Sequence, residues 1–192
     1  MRITGGRWRS RRLQGPRRTW PLRPTPDAMR ERAFAVLGAE VEDARVLDLF
    51  AGTGAVGFEA LSRGAAEVVF VESHRGAASL IEANREALGV REEQARVITR
   101  PARSAVGHLR REGAVFDLVW ADPPFESWRL GAEALAAVVE ARLLADGGLA
   151  CLECPAEADV EVAGLEAVRD LAGGASRVVL LRAGPPVSTQ TA

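Results

Sequence analysis

A chain of 192 residues that is 47% hydrophobic and 27% charged, with a net charge of −1, has the balance of one large soluble domain or of a core with a small appendage. No apolar stretch approaches the ~20 residues that span a bilayer. Met1–Arg12 is mostly Arg, Gly and Trp rather than an apolar leader, so membrane and secreted classes are set aside and a cytoplasmic protein, most simply a monomer, is expected.

The first element in chain order is a basic one. Residues 1–32 hold ten arginines against Asp27 and Glu31, whereas the remainder holds fifteen arginines against twenty-four acids. A basic arm on an acidic body suits a polyanionic partner, although a solvated tail has the same composition. Trp8 and Trp20 favour nucleic acid, because aromatic rings among guanidiniums can stack on bases while the cations hold phosphates. Arg2–Leu13 shows short extended runs around Gly5-Gly6, which predicts a basic β-hairpin, and Gly15–Pro24 reads as a linker. Residues 1–24 are therefore expected to act as a unit for nucleic-acid contact, with Arg2, Arg7, Trp8, Arg9, Arg11, Arg12 and Arg23 as its binding residues. Thr25 and Pro26 form a helix start. Met29, Ala33, Phe34 and Leu37 follow on one helical face, and Gly38 ends that helix.

Strand and helix patterns then alternate. Strands are predicted near 45–50, 67–72, 95–99, 116–121 and 148–154, and helices over 55–63, 75–88, 102–112 and 128–144. The strands are near-continuous apolar runs, as expected when helices cover both faces of a parallel sheet. The fold class is therefore α/β, a doubly wound, mostly parallel sheet. Residues 160–168 and 177–181 would close it as an antiparallel pair, giving a domain over 25–183 and a loose tail over 184–192.

Two turns carry the chemistry. Gly52-Thr53-Gly54-Ala55-Val56-Gly57 fits G-x-G-x-x-G directly after the first strand and before a helix. Gly52 and Gly54 let the backbone turn sharply and approach a ligand. Glu72 closes the next strand, about twenty residues on, where a carboxylate can take ribose hydroxyls. Both NAD and S-adenosylmethionine (SAM) suit this geometry. Asp48, just ahead of the turn, suits a cationic amino-acid ligand, though it could instead accept hydrogen bonds from loop amides. Phe50 could touch cofactor or pack in the core.

The second turn, Asp122-Pro123-Pro124-Phe125, follows the fourth strand. Its prolines fix φ, donate no N–H and hold their predecessors extended. The result is a rigid corner of acceptors, the Asp122 carboxylate and the Pro123 carbonyl, which matches the two donors of an exocyclic –NH₂. Accepting both keeps the nitrogen lone pair out of ring conjugation and free to attack. Phe125 would stack on the base, with Pro124 beside it. Catalysis would be positioning plus electrostatics, without a covalent enzyme intermediate. Cys151 and Cys154 form a C-x-x-C inside an apparent strand, with no second ligand pair at metal spacing, and are expected to be buried structural thiols; no metal site is predicted.

The segments Asp48–Gly54 and Asp122–Phe125 resemble the motifs of Rossmann-like SAM-dependent methyltransferases acting on amino groups. More narrowly, Met1-Arg2-Ile3 with Gly6, Trp8 and Arg9, then Arg23-Pro24-Thr25, Arg30-Glu31 and Phe34, are similar to the RsmD-type enzymes, bacterial methyltransferases of a guanine N2 in small-subunit ribosomal RNA. The similarity runs from residue 1 to about 154. It implies a seven-stranded core, an N-terminal RNA-contacting hairpin, and a substrate presented on the 30S particle or its precursor. It also implies that Asp48, Gly52 and Gly54 line the methionine part of SAM, that Glu72 meets its ribose, and that Asp122–Phe125 hold the guanine. Arg100-Pro101-Ala102-Arg103-Ser104, after the third strand, offers no acid to the adenine amine, which leaves main chain to read it. Rival readings are adenine-N6 methylation of RNA or DNA and a non-catalytic RNA-binding assembly factor. An NAD oxidoreductase lacks an acid–base pair for hydride chemistry.

Overall fold

A computed structural model describes residues 1–15 and 27–184. Arg23, Trp20, the linker, Thr25, Pro26 and the tail beyond residue 184 lie outside the described residues. Seven strands, β1 (Arg45–Leu49), β2 (Glu67–Val71), β3 (Ala95–Ile98), β4 (Phe116–Ala121), β5 (Leu144–Pro155), β6 (Leu165–Gly173) and β7 (Ser176–Ala183), form one sheet. Their order is β3-β2-β1-β4-β5-β7-β6. All pairings are parallel except those of β7, which runs antiparallel to both β5 and β6.

Helices α1 (Asp27–Leu37), α2 (Ala55–Ser62) and α3 (Arg75–Leu88) bring Phe34, Phe58 and Ile81 to one sheet face, against Val46, Trp120 and Cys151. Helices α4 (Ala102–Glu112) and α5 (Arg129–Glu140) bring Leu109 and Leu135 to the other, against Leu47, Val119 and Leu152. Strand residues thus alternate between two apolar layers, which is why their sequence runs are apolar throughout rather than every second residue. The chain begins at β1, winds outward to β3, and returns to β4 on the far side of β1. The reversal falls between β1 and β4, and the carboxyl ends of strands at such a reversal are the usual ligand position in these sheets.

Three expectations need correction. Helix α5 ends at Glu140, because Arg142 adopts a left-handed φ of 56° and turns the chain into β5, which starts at Leu144. The apolar Leu143-Leu144 pair is therefore strand entry and not a last helical turn. Strand β6 spans Leu165–Gly173, not 160–168. Gly164 turns the chain at φ 78°, and the earlier apolar residues form a loop that plugs Val162 into the α4/α5 layer. As an edge strand, most of β6 is exposed, and its sequence lacks the apolar run that marks the others.

The N-terminal arm is not a regular hairpin. One antiparallel bridge, Arg2 to Arg12, closes it, and Gly6–Trp8 form a short 3-10 turn. Gly6, at φ 71°, lies so close to the Ser62 carbonyl that a Cβ would overlap it. Gly5-Gly6 therefore serves a close approach to the end of α2, not a two-residue strand reversal. Ile3 and Leu13 are buried in the α1–α3 layer, so the arm is packed as part of the core.

Candidate active site

Register places the two turns side by side. Leu49, the last residue of β1, pairs with Ala121, the last of β4, and the Asp122 amide points at the Leu49 carbonyl at 3.5 Å. The cofactor turn and the acceptor turn therefore leave adjacent strands at one level of the sheet edge.

The cofactor turn is braced on three sides. The Ala51 amide donates to the Val71 carbonyl at the end of β2 (2.9 Å). The Gly52 amide donates to Glu72 Oε2 (2.8 Å), and Glu72 Oε1 accepts from the His74 amide (2.7 Å). Gly54 caps α2 at φ 78°, and its amide donates to the Ala51 carbonyl (2.7 Å). Phe50, a non-glycine residue, also has a positive φ, 62°, and packs partly against the α4/α5 layer.

The glycines of this motif do different work. A Cβ on Gly54 would lie 2.7 Å from the Phe58 ring, and one on Gly57 would run into Phe70, so both glycines let α2 approach the sheet. Gly52 has φ 55° and, within 4 Å of where a Cβ would sit, only the Phe50 carbonyl oxygen at 4.0 Å. Its missing side chain leaves open space, as a turn that admits a ligand requires.

Asp48 is buried, and its Oδ2 accepts from the Gly57 amide at 3.0 Å. Burial, reinforced by the Glu72 carboxylate, pushes its pKa up to about 7 against the opposing Gly57 hydrogen bond. The amide that Asp48 meets belongs to the first turn of α2 and not to the loop. Near neutrality the carboxyl can gain or lose a proton as a nearby charge demands.

At the acceptor turn, Pro123 is buried and packs on Gly131 of α5, where a Cβ would come within 2.9 Å of its ring. Asp122 is half-buried, Pro124 exposed, and Phe125 is 49% exposed in front of the turn. Beneath the strand end, Trp120 stacks on Phe34 with centroids 5.7 Å apart.

The arm's arginines Arg2, Arg7, Arg9, Arg11 and Arg12 are exposed. The Arg7 guanidinium sits 3.9 Å above the Trp8 ring, which is half-buried against the core. Arg11 donates to the Ala87 carbonyl in the last turn of α3 (2.9 Å). A buried ionic latch holds the arm. Glu59 of α2 accepts from the Thr4 amide (2.7 Å), the Thr4 hydroxyl (2.8 Å) and the Gly5 amide (2.8 Å), and pairs with Arg63 (2.7 Å) and Arg30 (3.4 Å). Arg30 also donates to the Arg2 carbonyl and to Asp27. The arm's tip thus lies at the C-terminal end of α2, with the cofactor turn at the other end.

The sequence did not single out Glu59, Asn84 or the structural use of Arg30. A signal existed. Each is a polar residue on a buried helical stripe, and Asn84 falls between Ile81 and Leu88 on α3. Cys151 and Cys154 are free and buried. They face opposite apolar layers, and burial raises both thiol pKa values, so the pair shares neither a bond nor an ion. Among the described residues no group of three or more His, Cys, Asp or Glu could hold a metal, and no helix is long and apolar enough to cross a membrane.

Sheet order, glycine turn and proline corner together define a Rossmann-like methyltransferase fold. Residues 1–182 match the family described as conserved hypothetical protein 95. The chain is 40% identical over 125 residues to ribosomal RNA small subunit methyltransferase D of Escherichia coli K12, a match covering 65% of this chain and 60% of that protein's length. The chain thus spans less than two thirds of that relative. It is 35% identical over 153 residues to the protein of the same name from Haemophilus influenzae, covering 80% and 78%. The solved Escherichia coli protein yhhF superposes with a TM-score of 0.83 at 34% identity, covering 95% of this chain and 97% of that one. The chain belongs to this RsmD-type family.

Proposed function

We propose that the chain methylates the exocyclic N2 of a guanine in small-subunit ribosomal RNA, with SAM as donor and the assembled or partly assembled 30S particle as substrate, acting as a monomer in the cytoplasm. The observation that carries this reading is the Leu49–Ala121 register, which sets a turn with room for a ligand beside a corner of acceptors.

The residues present fit the donor. Open space at Gly52, with the carboxylates of Asp48 and Glu72 at the carboxyl ends of β1 and β2, suits a cationic amino acid joined to a ribose. Asp48, Gly52 and Gly54 would hold the methionine part, Glu72 the ribose, and Phe50 the turn's shape. Glu72 would do so while still bracing Gly52, since a carboxylate has about four acceptor sites and two are used here. When bound, SAM supplies an electrophilic methyl group.

The chain's own contribution is to hold the attacking amine. Asp122 and the Pro123 carbonyl accept its two N–H groups, so the lone pair is aimed and not conjugated. Phe125 offers an exposed ring for stacking, with Pro124 beside it. Fixed acceptors around developing positive charge at nitrogen lower the barrier without reorganising during the reaction. Asp122 would also take the proton that leaves the nitrogen after methyl transfer.

Arg2, Arg7, Arg9, Arg11 and Arg12, with Trp8 and Arg23, would hold phosphates. Because the tip of the arm sits at the far end of α2, a helix about 12 Å long at 1.5 Å per residue, substrate must reach across that distance. A folded RNA surface meets this requirement better than a short single strand.

The test is methyl transfer from labelled SAM to unmethylated 30S subunits, to deproteinised small-subunit rRNA and to duplex DNA, followed by mass-spectrometric mapping. N2-methylguanine at one site on 30S is expected. Methyladenine, or transfer to duplex DNA alone, would overturn the reading.

A further inference from the structure

The cofactor turn and the basic arm meet at one buried side chain. Asn84 of α3 is 1% exposed, on a stripe otherwise made of Ala77, Ala78, Ile81 and Leu88. An amide there is costly unless every polar atom is bonded. Its Oδ1 accepts from the Gln14 amide (2.7 Å), and its Nδ2 donates to the Gln14 carbonyl (3.2 Å) and to the Thr53 carbonyl (3.2 Å). The two Nδ2 hydrogens are thus divided between the last turn of the arm and the middle of the cofactor turn. The Gln14 amide can only donate, so it fixes which end of the Asn84 side chain is oxygen.

A second contact joins the same two elements. The Thr53 hydroxyl donates to Met1 Sδ at 3.3 Å, and the Leu13 amide donates to the Met1 carbonyl at 3.4 Å. Both ends of the arm therefore rest on Thr53 or on the residue that holds it. Thr53 stands between Gly52 and Gly54, at φ 55° and 78°. The turn is braced through Ala51, Gly52 and Gly54, and its middle carbonyl, that of Thr53, takes the Asn84 bond. The direction of the Thr53 carbonyl consequently depends on Asn84, and that of Asn84 on Gln14.

We propose that Asn84 is a positioning residue that couples the arm to the cofactor turn, so that RNA held by the arm and cofactor held by the turn bind with positive cooperativity. The proposal rests on reading the arm as the RNA contact. Linkage makes the effect reciprocal: RNA that steadies Gln14 raises cofactor affinity, and cofactor that steadies Thr53 raises RNA affinity by the same factor. Such couplings typically run from about 5-fold to about 150-fold.

The experiment is calorimetric titration with S-adenosylhomocysteine, which permits no turnover, into free protein and into protein saturated with unmethylated 30S subunits. The wild type should bind it roughly fivefold or more tightly on the 30S particle. Asn84→Ala should bring that ratio to about one, a result mere loosening of the fold would not give, because free and bound forms share it. Gln14→Pro removes the N–H that meets Asn84 Oδ1 without altering Asn84 itself, and should also lower the ratio. Equal affinities for free and 30S-bound wild type overturn the coupling, and a wild-type ratio in both variants overturns the role of Asn84. Replacing Arg9 and Arg12 with Glu separates the two readings. Unchanged 30S affinity in that variant defeats the arm's RNA role. Weakened 30S binding beside a wild-type ratio of one defeats the coupling alone.

Discussion

The acceptor turn Asp122–Phe125 takes its shape from two adjacent prolines and from contacts made within a few residues or on adjoining elements, among them Pro123 on Gly131 and the Ser127 amide on the Pro124 carbonyl. The arm Met1–Gln14 takes its place from partners more than fifty residues away, the Glu59 carboxylate and the Ser62 hydroxyl. Both are proposed to touch RNA, yet one is stiff by covalent constraint and the other by a buried network of charge. A locally constrained corner can lose a side chain without the fold noticing. A network that spends buried charge on holding an arm cannot.

The largest effect should therefore come from the latch and should register as stability. Glu59 and Arg30 are fully buried, and Glu59→Ala leaves Arg30 to the more exposed Asp27 and takes the acceptor from Thr4 and Gly5. Breaking one partner of such a pair costs about 3–5 kcal/mol, a fall in Tm of roughly 10 °C for a chain of this size. A Tm within two or three degrees of wild type would show that the Glu59 latch is not what holds the arm. For the same reason, removal of residues 1–14 should destabilise the body and not merely weaken RNA binding.

Asp122→Ala probes the other side of the comparison. Its Tm should stay within about 2 °C and its SAM affinity within a few-fold, while kcat falls by about 100-fold or more, the usual cost of one preorganised electrostatic contact. Full turnover in this variant would end the positioning mechanism. Next in size is Phe125→Ala. Stacking of one base is worth about 1–3 kcal/mol, so kcat/KM should fall roughly tenfold or more, and Phe125→Trp should restore most of it. If Phe125→Leu restores activity equally well, the ring is serving as apolar cover and not as a stacking platform.

What could be read beforehand follows the same division. The proline corner, the glycine turn and the alternation of strands and helices rest on local signals, namely fixed φ at Pro123 and Pro124, positive φ at Gly52 and Gly54, and apolar runs, each written within a few residues. The functions of Gly6, Glu59, Arg30 and Asn84 are long-range. Gly6 reads as a turn until the Ser62 carbonyl is seen beneath it, and Arg30 reads as one more arm cation until its guanidinium is found inside. Strand β6 was misplaced for a related reason. An exposed edge strand needs no apolar run, and its position is set by pairing with β7. Helical periodicity alone could have flagged Asn84, since a polar residue on a buried stripe must be bonded to something, but it could not have named Thr53 and Gln14.

The smallest effect is also the one that tests whether the cofactor turn belongs with the stiff region or the electrostatic one. Burial raises the Asp48 pKa to about 7 from an ordinary 3.8. A carboxyl whose folded-state value is raised contributes stability that is fully present below its unfolded value and is lost as pH climbs through about 7. The free protein should therefore lose stability progressively from about pH 4 to about 7 and level off above that, and Asp48→Asn should flatten that loss. A cationic ligand facing Asp48 favours the carboxylate, so SAM affinity should rise with pH by at most about tenfold per unit below 7 and level off above it. The ligand's own amino group titrates nearby, but it does so identically in both proteins, and the difference between them isolates Asp48. Calorimetric titrations of wild type and Asp48→Asn at pH 6, 7 and 8 measure that difference. Parallel profiles would mean that Asp48 only holds the Gly57 amide, and the turn would then select its ligand by shape alone.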